Sequence, residues 1–339
     1  MNNKNMLHSS IFDTLGKTPL VKCSKLKQYF KLKGDIYGKV EFFNPTFSKK
    51  DRIAYYIIKK ARDSGILKNK QPVVEATSGN TGMALAAVCA YLGHPFYAVI
   101  SEGNSIERIK IMEMYGANLI IMKQEDGSYG KVSGNDFDKN ICEAKRLSEE
   151  LGAYYVNQFG NPWNIEAQTI MAEELYEDII DNNLNIGIFC DFLGTGGSYQ
   201  AISSLFLEKI EGIECNIVEP ADSCPFYTLK KTVKEENQNN QYNPKPHMIQ
   251  GGGYGKTDFP VMKNIRFHNS VLITDDEVKT MVKIIAEEEG IFCSYSSAAN
   301  CLATIKMMEK SDIDGKPKNG LFIFCDTGLK YLQGIVPIP

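Results

Sequence analysis

Short apolar runs alternate along the chain with segments of helical periodicity, and this alternation constrains the fold more than any other feature. Strand-length runs occur at 73–75 (VVE), 96–100 (FYAVI), 118–122 (NLIIM), 186–190 (IGIFC), 215–218 (CNIV) and 321–325 (LFIFC). Runs of this kind, apolar without alternation, are those of strands buried on both faces. Between them, residues 51–64, 81–92, 105–115, 138–151, 164–182, 198–210, 275–289 and 296–310 space their apolar side chains at helical intervals. A strand that returns through a helix closes by a right-handed crossover onto a parallel neighbour. The pattern therefore predicts an α/β fold, with mostly parallel twisted sheets covered by helices. At 339 residues, 43% of them hydrophobic, the chain can fill more than one core. Two α/β units meeting near residues 152–160 are expected, with a site at the strand ends between them. The polar stretch 233–246 (VKEENQNNQYNPKP) reads as an exposed, mobile loop.

Composition removes several classes of partner. A formal net charge of −3 gives no electrostatic reason to expect nucleic acid or an anionic membrane, so a small molecule fits better. The nine cysteines are scattered from Cys23 to Cys325 without a CxxC pair, and read as reduced, mostly buried thiols. Residues Met1 to Ser10 are polar, and no apolar run is long enough to cross a bilayer. The expected location is the cytoplasm. His8, His94, His247 and His268 show no ligand spacing, so neither a metal nor haem is expected.

Three segments carry chemistry. Glu75-Ala76-Thr77-Ser78-Gly79-Asn80-Thr81-Gly82 follows a strand and opens a helix, where backbone N–H groups and hydroxyls meet the positive end of a helix dipole. Alone, it is equally readable as a helix cap. Gly194-Thr195-Gly196-Gly197-Ser198 makes a second such turn, whose small residues admit a phosphate close to the backbone. Neither turn has the P-loop lysine or the GxGxxG spacing, so a compact phosphate monoester fits better than a nucleotide. The third segment, Asn44-Pro45-Thr46-Phe47-Ser48-Lys49-Lys50-Asp51-Arg52, sets two lysines at a helix entrance, with Ser48 as a cap. A lysine there is disfavoured as a cation, which suits an amine nucleophile for a carbonyl cofactor. A solvated helix start is the plainer reading of that run taken alone.

At these segments together the sequence resembles the fold type II pyridoxal-phosphate enzymes, tryptophan synthase β-like in architecture, and specifically the cysteine synthase and cystathionine β-synthase family. The resemblance runs through Thr14 to Val21, Asn44 to Arg52, Thr77 to Gly82, Ser105 to Arg108, Asn157 to Phe159, Asn161-Pro162, Gly194 to Ser198, Glu219-Pro220, Ile249 to Gly251, Asp326 to Gly328 and Tyr331-Leu332. It implies a smaller unit over 45–155 and a larger cofactor-binding unit over 1–44 plus 156–339. It also implies that Lys50 forms the Schiff base with pyridoxal 5'-phosphate, leaving Lys49 a bystander. Asn80 is then expected at the cofactor's phenolic oxygen, Gly194, Thr195, Gly196, Gly197 and Ser198 around its phosphate, and Thr327 at the pyridine nitrogen. Thr77, Ser78, Gly79, Thr81 and Gln158 are expected to receive the substrate carboxylate, with Gly251 on the facing loop.

The implied reaction is β-replacement on an activated serine such as O-acetylserine, with sulfide giving cysteine. The alternative takes cysteine as substrate, releasing hydrogen sulfide and forming serine, lanthionine or cystathionine, or adds an amine to give a diaminopropionate derivative. Lys50, once displaced, is placed to take the Cα proton. A hydroxyl at Thr327 is a weak partner for the ring nitrogen, which favours elimination over transamination; the carboxylate of Asp326 next to it would reverse that argument. A binding module without turnover is opposed by intact Lys50, Asn80 and Gln158. The partners implied are a small amino acid, a small nucleophile and a second copy of the chain. The haem-binding, regulated form of cystathionine β-synthase is not expected, since these residues include no cysteine-histidine segment or regulatory module.

Departures from the family pattern fall at Thr46-Phe47, in place of a glycine pair, and at Gly252-Gly253-Tyr254-Gly255-Lys256. Phe47 is expected to pack into the core and Lys256 to be solvated. The sharper alternative sets Phe47 against the cofactor lysine and Tyr254 and Lys256 toward the substrate. Nothing firm follows from Tyr295-Ser296-Ser297-Ala298.

Overall fold

The computed structural model describes residues 7–124, 130–131, 134–235 and 243–335. Its strands are β1 (Leu20–Lys22), β2 (Ile36–Val40), β3 (Val73–Ala76), β4 (Phe96–Ser101), β5 (Asn118–Met122), β6 (Tyr154–Tyr155), β7 (Ile186–Phe192), β8 (Glu214–Pro220), β9 (Asn269–Ile273) and β10 (Asn319–Phe324). Its helices are α1 (Ser24–Tyr29), α2 (Lys50–Asp63), α3 (Asn80–Leu92), α4 (Ile106–Met114), α5 (Gly134–Leu151), α6 (Trp163–Asp181), α7 (Gly197–Lys209), α8 (Pro225–Glu235), α9 (Asp275–Glu289), α10 (Tyr295–Ile313) and α11 (Leu332–Ile335). One sheet runs β1-β2-β10-β7-β8-β9, the other β5-β4-β3-β6. Every pairing is parallel except β1 with β2. The mostly parallel α/β expectation holds.

Each apolar run read from sequence is a strand. Those in β3, β4, β7, β8 and β10 are almost wholly buried, which is why they carry no alternation. The short edge strands β1 and β6 and the half-buried β9 lack such a run. So does β2, Ile-Tyr-Gly-Lys-Val, although it is buried throughout. Its lysine is tolerated because Lys39 Nζ meets Asp178 at 2.7 Å and the Thr18 carbonyl at 2.8 Å. Its glycine is required because a Cβ at Gly38 would run into the rings of Phe322 and Phe324.

The polar stretch 233–246 is only partly a loop: residues 233–235 end α8, 243–246 are irregular and largely exposed, and 236–242 lie outside the described residues. Parallel strands all present their C-terminal ends on one side. There β3 leads into α3, β7 into α7, and β10 runs past the start of α2, so their connecting turns converge.

Candidate functional site

The entrance to α2 is bound to the end of β10. Lys49 N–H donates to the Cys325 carbonyl at 2.9 Å, Ser48 pairs with Asp326, and the Ser48 hydroxyl accepts the Lys50 N–H at 3.1 Å. The preceding turn is tight: Phe47 has φ +62°, and the Asp51 carboxylate accepts both the N–H and the hydroxyl of Thr46. A left-handed backbone favours glycine, which explains the glycine pair of the family pattern. Phe47 itself is 56% exposed, so it neither enters the core nor crowds the cleft. Arg52, in the first turn of the helix, is buried between Glu41 and Glu174 and fixes α2 to the turn after β2 and to α6.

Lys50 reaches a cleft that is partly open to solvent. Burial first, and then the positive charge of Lys49, push its amine down to about 8. Across from it stands the turn 194–198. Gly196 has φ +85°, and a Cβ on Gly194 would fall 2.5 Å from the Gly251 carbonyl and 3.6 Å from Lys50 Nζ. At Gly197 a Cβ would meet the side chain of Asn164. The backbone here is closed around by its neighbours and opens α7, whose first turn carries the positive end of the helix dipole.

The turn 77–82 forms a third wall. Thr77 Oγ1 accepts the N–H groups of Gly79 and Gly82, both at 2.9 Å, so this hydroxyl holds the turn together and does not line the cleft. Gly79, at φ +129°, leaves room for Arg108, whose guanidinium lies 4.8 Å from the Tyr331 ring centre. Asn80 does line the cleft. Its amide is oriented from both ends, donating to Asp326 at 2.8 Å and accepting from Lys330 at 3.0 Å. Thr81 donates to Gln158 Oε1 at 2.7 Å, while Gln158 Nε2 donates to the Ala76 carbonyl at 2.9 Å. Beneath them Glu75 is fully buried and its carboxyl is pushed up to about 8 by that burial.

Of the residues expected from sequence, Lys50, Ser78, Asn80, Thr81, Gln158, Gly194, Thr195, Gly196, Ser198 and Gly251 line this one cleft. Thr77, Gly79 and Gly197 lie behind it and shape its backbone. Thr327 does not reach it. Its hydroxyl accepts the Leu329 N–H at 3.3 Å and donates to the Phe292 carbonyl at 3.5 Å, because Thr327 caps a short helical turn after β10. Ser296, in the first turn of α10, is the hydroxyl that does line the cleft, with Asp326 behind it at 3.5 Å. Paired serines at a helix start look like caps, and that hides the residue in the sequence. Tyr254 also enters, its phenol 3.1 Å from the Ser78 hydroxyl. Lys256 is not simply solvated but paired with Asp138 at 2.5 Å, and stands away from the cleft lining.

An amine of lowered proton affinity that opens into one cleft with the small-residue turn 194–198 is a fit for a carbonyl cofactor bearing a phosphate; the class is an α/β enzyme working through such a group. The chain belongs to the pyridoxal-phosphate dependent enzymes, whose family model matches residues 11–326, and its mostly parallel α/β architecture is that of fold type II. It is 31% identical over 326 residues to a cysteine synthase of Staphylococcus aureus, covering 96% of this chain and 95% of that one. The solved O-acetyl serine sulfhydrylase isoform 3 from Entamoeba histolytica superposes with a TM-score of 0.82 at 29% identity, covering 100% of this chain and 95% of that one. An O-acetylserine dependent cystathionine beta-synthase from Helicobacter pylori gives 0.82 at 28% identity, over 98% and 99%.

Proposed function

We propose that the chain catalyses β-replacement on an activated serine of the O-acetylserine type, with sulfide giving cysteine. The observation that carries the reading is that Lys50 and the 194–198 cup open into one cleft, in a chain whose full-length relatives include cysteine synthases. Bound pyridoxal phosphate supplies the electron sink for chemistry at Cα and Cβ. Lys50 anchors it and, when its amine is free, takes the Cα proton; an amine near 8 is a competent base at neutral to mildly alkaline pH. Asn80 serves the cofactor's phenolic oxygen, held in register by Lys330 and Asp326. Ser78, Thr81 and Gln158 receive the substrate carboxylate with the backbone of 77–79, and Gly251 keeps the facing loop close. Ser296 takes the place at the ring nitrogen that the family resemblance assigns to Thr327. We read the chain as units of 45–155 and 1–44 plus 156–339 with the cleft between them, a reading supported by the two separate sheets.

A second reading has cysteine as the substrate, releasing sulfide and forming serine, lanthionine or cystathionine, or an amine as the nucleophile. It is favoured by Tyr254, whose buried phenol adds a hydrogen-bonding group on the substrate side. The working form is read as a cytoplasmic homodimer, in keeping with nine unpaired cysteines and the family pattern. Purified protein given O-acetylserine and sulfide should form cysteine and acetate in equal amounts. Sulfide release from cysteine, with no turnover of O-acetylserine, would replace the first reading by the second.

A further inference from the structure

Lys49 is the charged group of the cleft to which the cofactor reading gives no task. It is not solvated. Its ammonium lies 2.8 and 3.0 Å from the two oxygens of Asp191 and 2.9 Å from the Ser198 hydroxyl, and the residue is 7% exposed. Asp191, fully buried at the end of β7, is held in turn by Ser198 at 2.6 Å and by Asn300 at 3.0 Å. A buried ion pair of this kind adds little stability over a well-packed apolar pair. Its position is informative: Lys49 lines the cleft beside Thr195, Gly196 and Ser198, at the N-terminus of a 13-residue helix.

We propose that Lys49 is a second anchor for the cofactor's phosphate, its ammonium held at the rim of the 194–198 turn by Asp191 and Ser198. The proposal rests on the pyridoxal-phosphate reading of the cleft. The Ser198 hydroxyl hydrogen is committed to Asp191, so the donor offered to an anion from this side is the ammonium. Asp191 holds it in place, and its longer contact, at 3.0 Å, is the one a phosphate oxygen can take over while Ser198 and Asn300 keep the carboxylate satisfied. The neighbouring charge also bears on Lys50, so one residue serves both the phosphate and the amine.

The test compares Asp191→Asn with the double variant Lys49→Gln and Asp191→Asn, so that the buried carboxylate is absent from both. Apoprotein is titrated with pyridoxal phosphate and, separately, with pyridoxal, and binding is read by absorbance. Losing Lys49 should lower the ratio of pyridoxal phosphate to pyridoxal affinity about tenfold or more, the scale of one hydrogen bond to a charged group, since any effect of its charge on Lys50 is common to both ligands. An unchanged ratio in the two variants, whether both affinities hold or both fall together, overturns the proposal. Should Asp191→Asn alone fail to fold, the charge-neutral double variant is compared with wild type: a tenfold fall in the ratio of pyridoxal phosphate to pyridoxal affinity supports the anchor, and an unchanged ratio overturns it. Failure of wild type to take up pyridoxal phosphate sinks the cofactor reading itself, a separate result.

Discussion

Replacing Arg52 by Met tests how the helix that carries Lys50 is held. The guanidinium donates to both oxygens of Glu41, at 2.7 and 2.9 Å, and to both oxygens of Glu174, at 3.0 and 2.8 Å. Glu41 is wholly buried, with Thr18 at 2.6 Å and Asn44 at 2.9 Å as its other donors. Without Arg52 it keeps two neutral hydrogen bonds and loses its buried counter-charge, a loss of about 3–5 kcal/mol. An unfolding entropy of about 2.1 cal/mol/K per residue makes this a fall of roughly 4–7 °C in Tm for a chain this long. The sign with pH separates this cause from a mere packing defect. In the wild type burial works to raise Glu41, but Arg52 overrides it and holds the carboxyl below its ordinary value. That stability is therefore present above the ordinary carboxylate pKa and is lost only as the pH falls through the lower folded value. In Arg52→Met burial is opposed only by the hydrogen bonds of Thr18 and Asn44 and the charge of Lys39, so the carboxyl rises above the ordinary range, and proton uptake relieves the strain on acidification. The deficit should shrink by about 1.4 kcal/mol per unit of pH below that raised value, until the unfolded carboxylate also titrates. Thermal denaturation of the apoprotein at pH 8 and pH 5 reads both effects. An unchanged Tm, or a deficit that grows on acidification, refutes the reasoning.

Other outcomes follow from the same geometry. With Lys50 near 8, capture of pyridoxal phosphate by the apoprotein should accelerate between pH 7 and 9 and level off above; stopped-flow absorbance that shows a midpoint above 10 would remove the lowered amine. Ser296→Ala should alter the visible absorbance of the bound cofactor or weaken its affinity about tenfold, whereas Thr327→Val should leave both unchanged; the opposite pattern would restore Thr327 to the ring nitrogen. Gly194→Ala places a methyl group 2.5 Å from the Gly251 carbonyl. Overpacking of about 1–3 kcal/mol should weaken cofactor binding roughly 5- to 150-fold, and a fluorescence titration matching wild type would show that the loops yield freely.

The central parallel strands were legible because burial on both faces leaves an apolar run, and β3, β4, β7, β8 and β10 are such strands. What hid β2 was tertiary: Lys39 and Gly38 read as strand breakers until Asp178 and the two phenylalanine rings are beside them. The same division holds at the site. Lys50, Asn80 and the 194–198 turn announce themselves by residue type and spacing. Ser296 and Thr327 are both hydroxyls at helix starts, and only the packing of α10 against β10 decides which of them faces the cleft. Lys49 next to Lys50 looks like an ordinary charged helix entrance; its partner Asp191 lies 142 residues away, beyond any local pattern.

The account turns on which amine holds the cofactor. Protein loaded with pyridoxal phosphate, reduced with borohydride, digested and sequenced by mass spectrometry should carry the pyridoxyl mass on Lys50 and on no other lysine. The same mass found on Lys49, or no modified lysine despite bound cofactor, would contradict it.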